Sequence, residues 1–443
     1  MKKPIYNVCV LGIWHLGAVV SACLAELGYA VIGVDSNYDR VKKLNAGIPP
    51  IFEPGLEELI KKHLTSGRLS YNSDFEKSVQ NADCVMFCYD TPVDMNDDLD
   101  MSPVVDAAEA VSPFLTVETL VIVQSQVPVG SCEKLGNVLR NGNASRCRHV
   151  SYVPENLRLG QGISRFMEPT MIVIGSDDPS ITARTESFLS VLPGARVLTN
   201  LRTAEMTKHA LNAFFATSIS FANELGNICD DIGADGLKVS EALRLDERIG
   251  PNAFVLPGGP FGGGTLARDL RVLKGLGEAS GYETTLFDAV IKVNEKQKDL
   301  VVTRLQNLYG ELKGLNIGVL GLTYKPGTST LRRSPSLDII VRLAEAGAIV
   351  KAYDPKADLS ELGTNLPFEF CSDAYKATNS TDAIVIATEW PEFRDIDFAQ
   401  VRAEVNRAVI LDTKNLLDPE ELEKLGFVYM GTGRGTRGKH LEE

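Results

Sequence analysis

The 443-residue sequence predicts an α/β protein with two doubly wound, Rossmann-like parallel-sheet domains, joined by a long central helix and a helical dimerisation region. Three observations carry that reading. Short apolar, β-rich runs alternate with helical segments, the pattern of βαβ units and parallel sheets. The whole arrangement occurs twice, in the same order. Between the two copies lies a stretch whose apolar residues recur at helical spacing.

The repeat is visible segment by segment. "NVCVLGIWHLG" (Asn7 to Gly17) reads as a buried strand, a tight turn and a helix, and "GYAVIGVD" (Gly28 to Asp35) as the next strand. "NIGVLGLTYK" (Asn316 to Lys325) and "GAIVKAYDP" (Gly347 to Pro355) repeat the strand, helix and strand ending in Asp. "ADCVMFCYDTP" (Ala82 to Pro92) parallels "TDAIVIATEWP" (Thr381 to Pro391), and "TLVIVQS" (Thr119 to Ser125) parallels "RAVILDT" (Arg407 to Thr413). The middle stretch from Thr203 to Gly233 contains no proline and no glycine before Gly226. It predicts one helix of roughly 40 Å at 1.5 Å rise per residue. The expected domains are therefore 1–200, 201–308 and 309–443, the middle one a dimerisation platform or a spacer.

Bulk properties narrow the function. With 44% hydrophobic and 23% charged residues, the chain has the composition of a globular protein too long for one core. A net charge of −13 argues against a surface for nucleic acid or anionic membranes, but leaves room for a small nucleotide. The eight cysteines match no zinc spacing and read as reduced structural thiols. No metal-ligand constellation, signal peptide or membrane span is visible, and a cytoplasmic location is expected.

The first turn points to a cofactor. "GIWHLG" keeps the outer glycines of a dinucleotide fingerprint: Gly12 for the tight turn and Gly17 for close helix–strand packing. Asp35 ends the second strand where a carboxylate accepts hydrogen bonds from an adenosine ribose, which favours NAD over NADP. Trp14 stands in the place of the middle glycine. An indole turned outward leaves the helix N-terminus open to phosphate. Farther on, "PFGGGTLARD" (Pro260 to Asp269) is too glycine-rich for an ordinary loop, follows no strand and ends in a charged pair.

These residues resemble the UDP-glucose/GDP-mannose 6-dehydrogenase family, nucleotide-sugar dehydrogenases that oxidise a sugar C6 alcohol to a carboxylate with two NAD in turn. The resemblance runs through "GIWHLG", "RVKKLNAGIPPIFEPGLEEL" (Arg40 to Leu59), "DTP" (Asp90 to Pro92), "SQVPVGS" (Ser125 to Ser131) and "PENLRLG" (Pro154 to Gly160). It continues in "AEMTKHALNAF" (Ala204 to Phe214), "PFGGGTLARD" and "GLTYKPGTSTLRRSPS" (Gly321 to Ser336). It implies that the glycine loop closes on a nucleotide-sugar. It also implies catalytic roles for Glu155, Lys208, Asn212 and Asp269, with Lys208 and Asn212 sharing a helix face and holding a water or an oxyanion. Cofactor contacts are implied for Gly12, Trp14, Leu16, Gly17, Asp35, Arg40, Thr91, Gln126, Arg268 and Arg332. Substrate contacts are implied for Leu157, Arg248, Phe261, Gly262 and Lys325, with Arg248 reaching a neighbouring subunit's substrate. The C-terminal domain would then bind the nucleotide-sugar, and the protein would be a homodimer or higher homo-oligomer.

The departures fall at the chemistry. Thr265 occupies the place of the family's nucleophilic cysteine, Arg268 that of a lysine, Gln126 that of a threonine and Leu159 that of a glutamate. A hydroxyl is no substitute for a readily formed thiolate. The expectation is an NAD-dependent oxidoreductase performing one two-electron oxidation of a nucleotide-sugar, a UDP-hexose in first place. Complete four-electron oxidation to a uronic acid, as in polysaccharide biosynthesis, is the runner-up. A nucleotide-sugar binding protein without turnover comes third, and retention of Glu155, Lys208, Asn212 and Asp269 argues against it.

Overall fold

The computed structural model describes residues 6–91, 99–141 and 150–435; Pro92 of "DTP" and Cys147 lie outside them. Two sheets account for the repeat. The first contains β1 (Asn7–Leu11), β2 (Ala30–Val34), β3 (Leu69–Asn72), β4 (Cys84–Phe87), β5 (Leu120–Val123), β6 (Val150–Tyr152), β7 (Met171–Gly175) and β8 (Ala195–Thr199). The second contains β9 (Asn316–Leu320), β10 (Ile349–Tyr353), β11 (Glu369–Phe370), β12 (Ala383–Ile386), β13 (Val409–Asp412) and β14 (Val428–Gly431).

Their orders are β3-β2-β1-β4-β5-β6-β7-β8 and β11-β10-β9-β12-β13-β14. Each reverses beside its first strand, between β1 and β4 and between β9 and β12, the crevice where doubly wound sheets bind ligands. Every residue of β4 and β5 is buried, because helices cover both faces of such a sheet. Successive residues of β1 serve opposite cores: Val8 and Val10 one, Cys9 and Leu11 the other. The pairing is parallel except at β6–β7, which meet antiparallel at Tyr152 and Gly175. Only a loop and the six-residue helix Gly162–Met167 join those strands. The connection, residues 153–170, is long enough for either sense.

The middle stretch forms one helix, Leu201–Ile232, of 32 residues, about 48 Å long at 1.5 Å per residue. The chain separates into two compact units between Ala210 and Leu211, inside this helix. Its first turns belong to the first unit and are held there by buried polar groups. Glu205, fully buried, accepts hydrogen bonds from the amides of Gly130 (2.5 Å) and Cys132 (2.8 Å). These amides open the helix Ser131–Asn141, where the N-terminal dipole favours an anion. One turn on, His209, also fully buried, places Nε2 3.0 Å from the carbonyl of Val127. In the second unit, Ala213, Ala216 and Ile219 of the long helix pack with Phe261, Leu266, Leu270, Leu273 and Val290.

Burial raises the Glu205 carboxyl above its usual range, against the lowering pull of the two amides. A raised folded-state value means that this group's stabilisation is complete below the ordinary glutamate range and is lost as pH climbs through the folded-state value. Glutamine has no such loss. Glu205→Gln is therefore expected to destabilise by up to about 1–3 kcal/mol at acid pH, through a lost amide acceptor, with the gap narrowing as pH rises. Urea melts of both proteins, one series near the glutamate range at about pH 4 and one near neutrality, check this; a gap that widens with pH contradicts it.

Candidate active site

The end of β1 is shaped for a dinucleotide. Gly12 has φ +81°, and a Cβ there would sit 2.7 Å from the Tyr89 ring; one at Gly17 would lie 1.8 Å from the Gly12 carbonyl. Trp14, in the middle-glycine place, has φ −73° and needs no glycine. The helix it opens, His15–Glu26, has neither a side-chain cap nor an acidic residue in its first turn. Its leading amides therefore suit a phosphate. Leu16 is buried in that turn.

Asp35 stands beside the turn at the end of β2. Its Oδ2 accepts from the Ile13 amide (3.1 Å) and from Arg40 Nη1 (2.7 Å), and its Oδ1 accepts from the Asn37 amide (2.9 Å). A carboxylate offers about four acceptor positions, so one remains for a ribose hydroxyl. The equivalent Asp354 at the end of β10 is full. It receives the Leu322 and Thr323 amides, the Thr323 hydroxyl, Trp390 Nε1 and the Lys356 amide. The dinucleotide place is thus formed in the first unit and closed in the second.

After β4 and β5, the Thr91 hydroxyl donates to the Gln126 carbonyl at 2.8 Å, and both residues are buried. After β6, Glu155 Oε1 lies 3.0 Å from Lys208 Nζ, which also donates to the Glu155 carbonyl at 2.5 Å. Glu155 Oε2 accepts from the Leu157 amide at 2.8 Å. Lys208 keeps only 6% of its side chain exposed. The ion pair is thus well shielded from solvent screening. A small cleft opens here, lined by Leu16, Gln124, Pro154, Glu155, Leu157 and Arg165 among others.

The second unit answers what the glycine loop closes on. A Cβ on Gly262 would come 2.3 Å from the Pro335 ring and 3.0 Å from the Arg333 carbonyl; one on Gly258 would come 3.2 Å from the Thr413 carbonyl. The loop lies on the strand ends of the second sheet. Carboxamides from two helices hold it. Asn223 accepts from the Gly258 amide (2.8 Å) and donates to the Gly259 carbonyl (3.0 Å). Asn294 accepts from the Phe261 amide (2.8 Å) and donates to its carbonyl (3.1 Å). Gln297 donates to the Gly258 carbonyl at 2.6 Å.

The helix Gly263–Ser280 follows. Thr265 is half-buried in its first turn, and Asp269 one turn later is fully buried. Asp269 accepts a hydrogen bond from Asn212 Nδ2, and its Oδ1 lies 3.9 Å from Arg268 Nε. Glu389, after β12, sits below the usual carboxylate range. Burial alone would raise it, but Lys414, 3.4 Å away, and Lys325 pull it down. Two cations thus share the crevice end of the second sheet.

Not every expected residue joins these groups. Arg332 is exposed, with its amide on Thr330 and Glu361. Arg248 forks onto Asp246 at 2.9 and 2.7 Å with 88% of its side chain exposed. Asn223, Asn294 and Gln297 carry no signal in the residue pattern, since helical carboxamides ordinarily face solvent. Glu205 and His209 were equally silent. Of the described cysteines, Cys9, Cys23, Cys84, Cys88, Cys132, Cys229 and Cys371 are all buried, and none lies in the glycine loop. Burial pushes the Cys23 thiol up to about 12. No cluster of metal-ligating side chains occurs, and no helix is long and apolar enough to cross a membrane, among the described residues.

An open first-unit dinucleotide turn, a closed second one and a clamped glycine loop over the second sheet define an NAD-dependent oxidoreductase with a separate nucleotide fold. Residues 6–190, 202–296 and 318–419 match the NAD-binding, central and UDP-binding domains of the UDP-glucose/GDP-mannose dehydrogenase family. The chain belongs to that family, whose members are NAD-dependent nucleotide-sugar dehydrogenases. It is 36% identical over 437 residues to a UDP-glucose 6-dehydrogenase of Bacillus subtilis, covering 98% of this chain and 94% of that one. The structure of a UDP-glucose dehydrogenase from Pyrobaculum islandicum superposes with a TM-score of 0.87 at 32% identity, covering 97% and 98% of the chains. A UDP-D-ManNAc dehydrogenase from Pyrococcus horikoshii gives 0.86 at 27% identity, covering 97% and 100%.

Asn294→Ala would leave the amide and carbonyl of Phe261 without their partner. Each buried polar group left unsatisfied costs about 1–3 kcal/mol, so the variant is expected to melt lower and to weaken binding of UDP, read by calorimetry. Unchanged UDP affinity together with unchanged melting contradicts the clamp.

Proposed function

We propose that this protein oxidises the carbinol of a UDP-hexose by a single two-electron step, releasing an aldehyde or ketone. The observation that carries this is Thr265. The resemblance puts the family's nucleophilic cysteine there, four residues ahead of the buried Asp269, which accepts a hydrogen bond from Asn212, and every described thiol is buried elsewhere. Oxidation of an aldehyde to a carboxylate through a thioester needs a thiolate, and a threonine hydroxyl needs a strong adjacent base to substitute for it. Oxidation of the alcohol needs only a base, an oriented carbinol and NAD to take the hydride.

NAD, when bound, accepts the hydride that leaves the carbinol carbon. Gly12, Trp14, Leu16, Gly17, Asp35 and Arg40 form its adenosine and pyrophosphate place, and Thr91 and Gln126 border it after β4 and β5. Glu155 takes the hydroxyl proton, and the Lys208 ammonium, 3.0 Å from that carboxylate, stabilises the alkoxide as it forms. Asn212 and Asp269 supply a polar floor beside Thr265. Phe261, Gly262 and Lys325 take the nucleotide, Lys325 as a cation for its diphosphate; Leu157 borders the sugar. The relatives' name, UDP-glucose 6-dehydrogenase, favours a second reading, in which an aldehyde hydrate undergoes a further oxidation.

The same reading makes the protein a homodimer or higher homo-oligomer. Leu211, Phe214, Phe221, Ile228 and Ile232 of the long helix are exposed and fall on the a and d positions of one heptad register, a coiled-coil-like stripe. Arg248, solvent-exposed in one chain, would then serve a neighbour's site.

Incubation with UDP-glucose or another UDP-hexose is expected to yield one NADH per sugar at most. Thr265→Ala should change the rate little, while Lys208→Ala should raise the barrier by roughly 2.7–4 kcal/mol, the scale of a lost oxyanion donor. Two NADH per sugar with a uronic acid product would establish the second reading instead. For the assembly, Phe214→Glu with Phe221→Glu is expected to convert a dimer into monomer in light scattering; a natural protein already monomeric at micromolar concentration refutes the dimer.

A further inference from the structure

His15 has no part in the chemistry above, yet it is buried in the first turn of the cofactor helix with 6% exposure. Its Nε2 lies 2.8 Å from Oε2 of Glu53, which is 3% exposed. The same carboxylate reaches a different part of the unit. Its Oε2 accepts from the Gly160 amide at 2.9 Å, and its Oε1 accepts from the Gly162 amide at 2.8 Å. Residues 160 and 162 end the irregular segment after β6 that begins with Glu155 and Leu157. Three N–H groups therefore converge on one buried carboxylate, so Nε2 of His15 carries its hydrogen towards Glu53. The fit is tight: a Cβ on Gly162 would lie 3.3 Å from the Glu53 carboxyl carbon and 3.3 Å from Val19 of the cofactor helix.

We propose that His15 is a positioning residue: through Glu53 it fixes the dinucleotide turn and the 155–162 segment as one body, so that NAD binding and the order of that segment are coupled. A buried hydrogen-bonded carboxylate is directional and unforgiving. Remove one donor and the remaining charge is left without compensation, so the two amides lose their common anchor. The helix start and the segment then move independently. The first pays in dinucleotide affinity, and the second in the placement of Glu155 against Lys208. The proposal rests on the family's use of NAD and on Glu155 lying beside the reacting carbon.

The test uses the full-length protein, with NADH titrated by fluorescence and hydrogen–deuterium exchange followed in peptides covering 155–162. In the natural protein, NADH should slow exchange across that segment. His15→Phe should bind NADH at least about ten-fold more weakly, a difference of about 1.4 kcal/mol, and lose the slowing. His15→Gln, whose amide N–H reaches the same place, should restore both. Should His15→Phe not fold, Glu53→Gln puts an amide where the carboxylate accepted a hydrogen, and the same two losses are expected. NADH binding and slowing that survive in the folded variants overturn the clamp while leaving the family's cofactor use intact. A natural protein that binds no NADH overturns the cofactor assignment and the clamp together.

Discussion

The carboxylate of Glu205 on the amides of Gly130 and Cys132 is the contact from which the first unit's chemistry follows. A helix docked only by apolar side chains can rotate by a fraction of a turn at small cost, since dispersion contacts are non-directional. Lys208 meets Glu155 only at one rotation of the long helix. Glu205 and His209, one turn apart, grip the segment 127–132 from its amide side and its carbonyl side and so set that rotation. The surface pair of Arg202 and Glu133 follows the same alignment, but exposed pairs contribute little.

The second unit solves a different problem. A loop rich in glycine is conformationally expensive to order, and here its close approach to Pro335 and Thr413 forbids side chains that would stiffen it. Stiffness comes from outside, in the carboxamides of Asn223, Asn294 and Gln297. The two sheets diverge in the same spirit. One aspartate at the end of the second strand keeps an acceptor position, whereas its counterpart is filled by a threonine and a tryptophan. One ancestral-looking plan thereby supports two kinds of ligand place.

Most of the architecture was legible from local pattern. The strand cores of β1, β4, β5, β9, β12 and β13 announced themselves because a strand buried on both faces has to be continuously apolar. The long helix did so because nothing interrupts its period. The reversal of β7 and β8 was not legible, because the run "MIVIG" looks alike in either sense and the connection before it permits both. Of the candidate site, Gly12, Gly17 and Asp35 were read from the dinucleotide pattern, and Glu155 and Lys208 from the resemblance alone; the structure sets the last two 3.0 Å apart. His15, Glu53, Asn223 and Asn294 were missed because their importance lies in partners far away in sequence. His15 meets a residue 38 positions on, and Asn294 one 33 positions back.

Trp14 and Trp390 are the two tryptophans of the chain, and each unit holds one of them at the end of a strand beside its crevice. Trp14 opens the helix after β1, half-buried; Trp390 follows β12, 5% exposed, with its indole N–H spent on Asp354 and Thr323. Indole emission shifts to the blue as water is excluded, so the two units carry distinguishable colours of intrinsic fluorescence. Reduced nicotinamide absorbs where indole emits. The protein is therefore built with a donor already seated at its own cofactor turn and a second lamp, differently tinted, recording the state of the other fold.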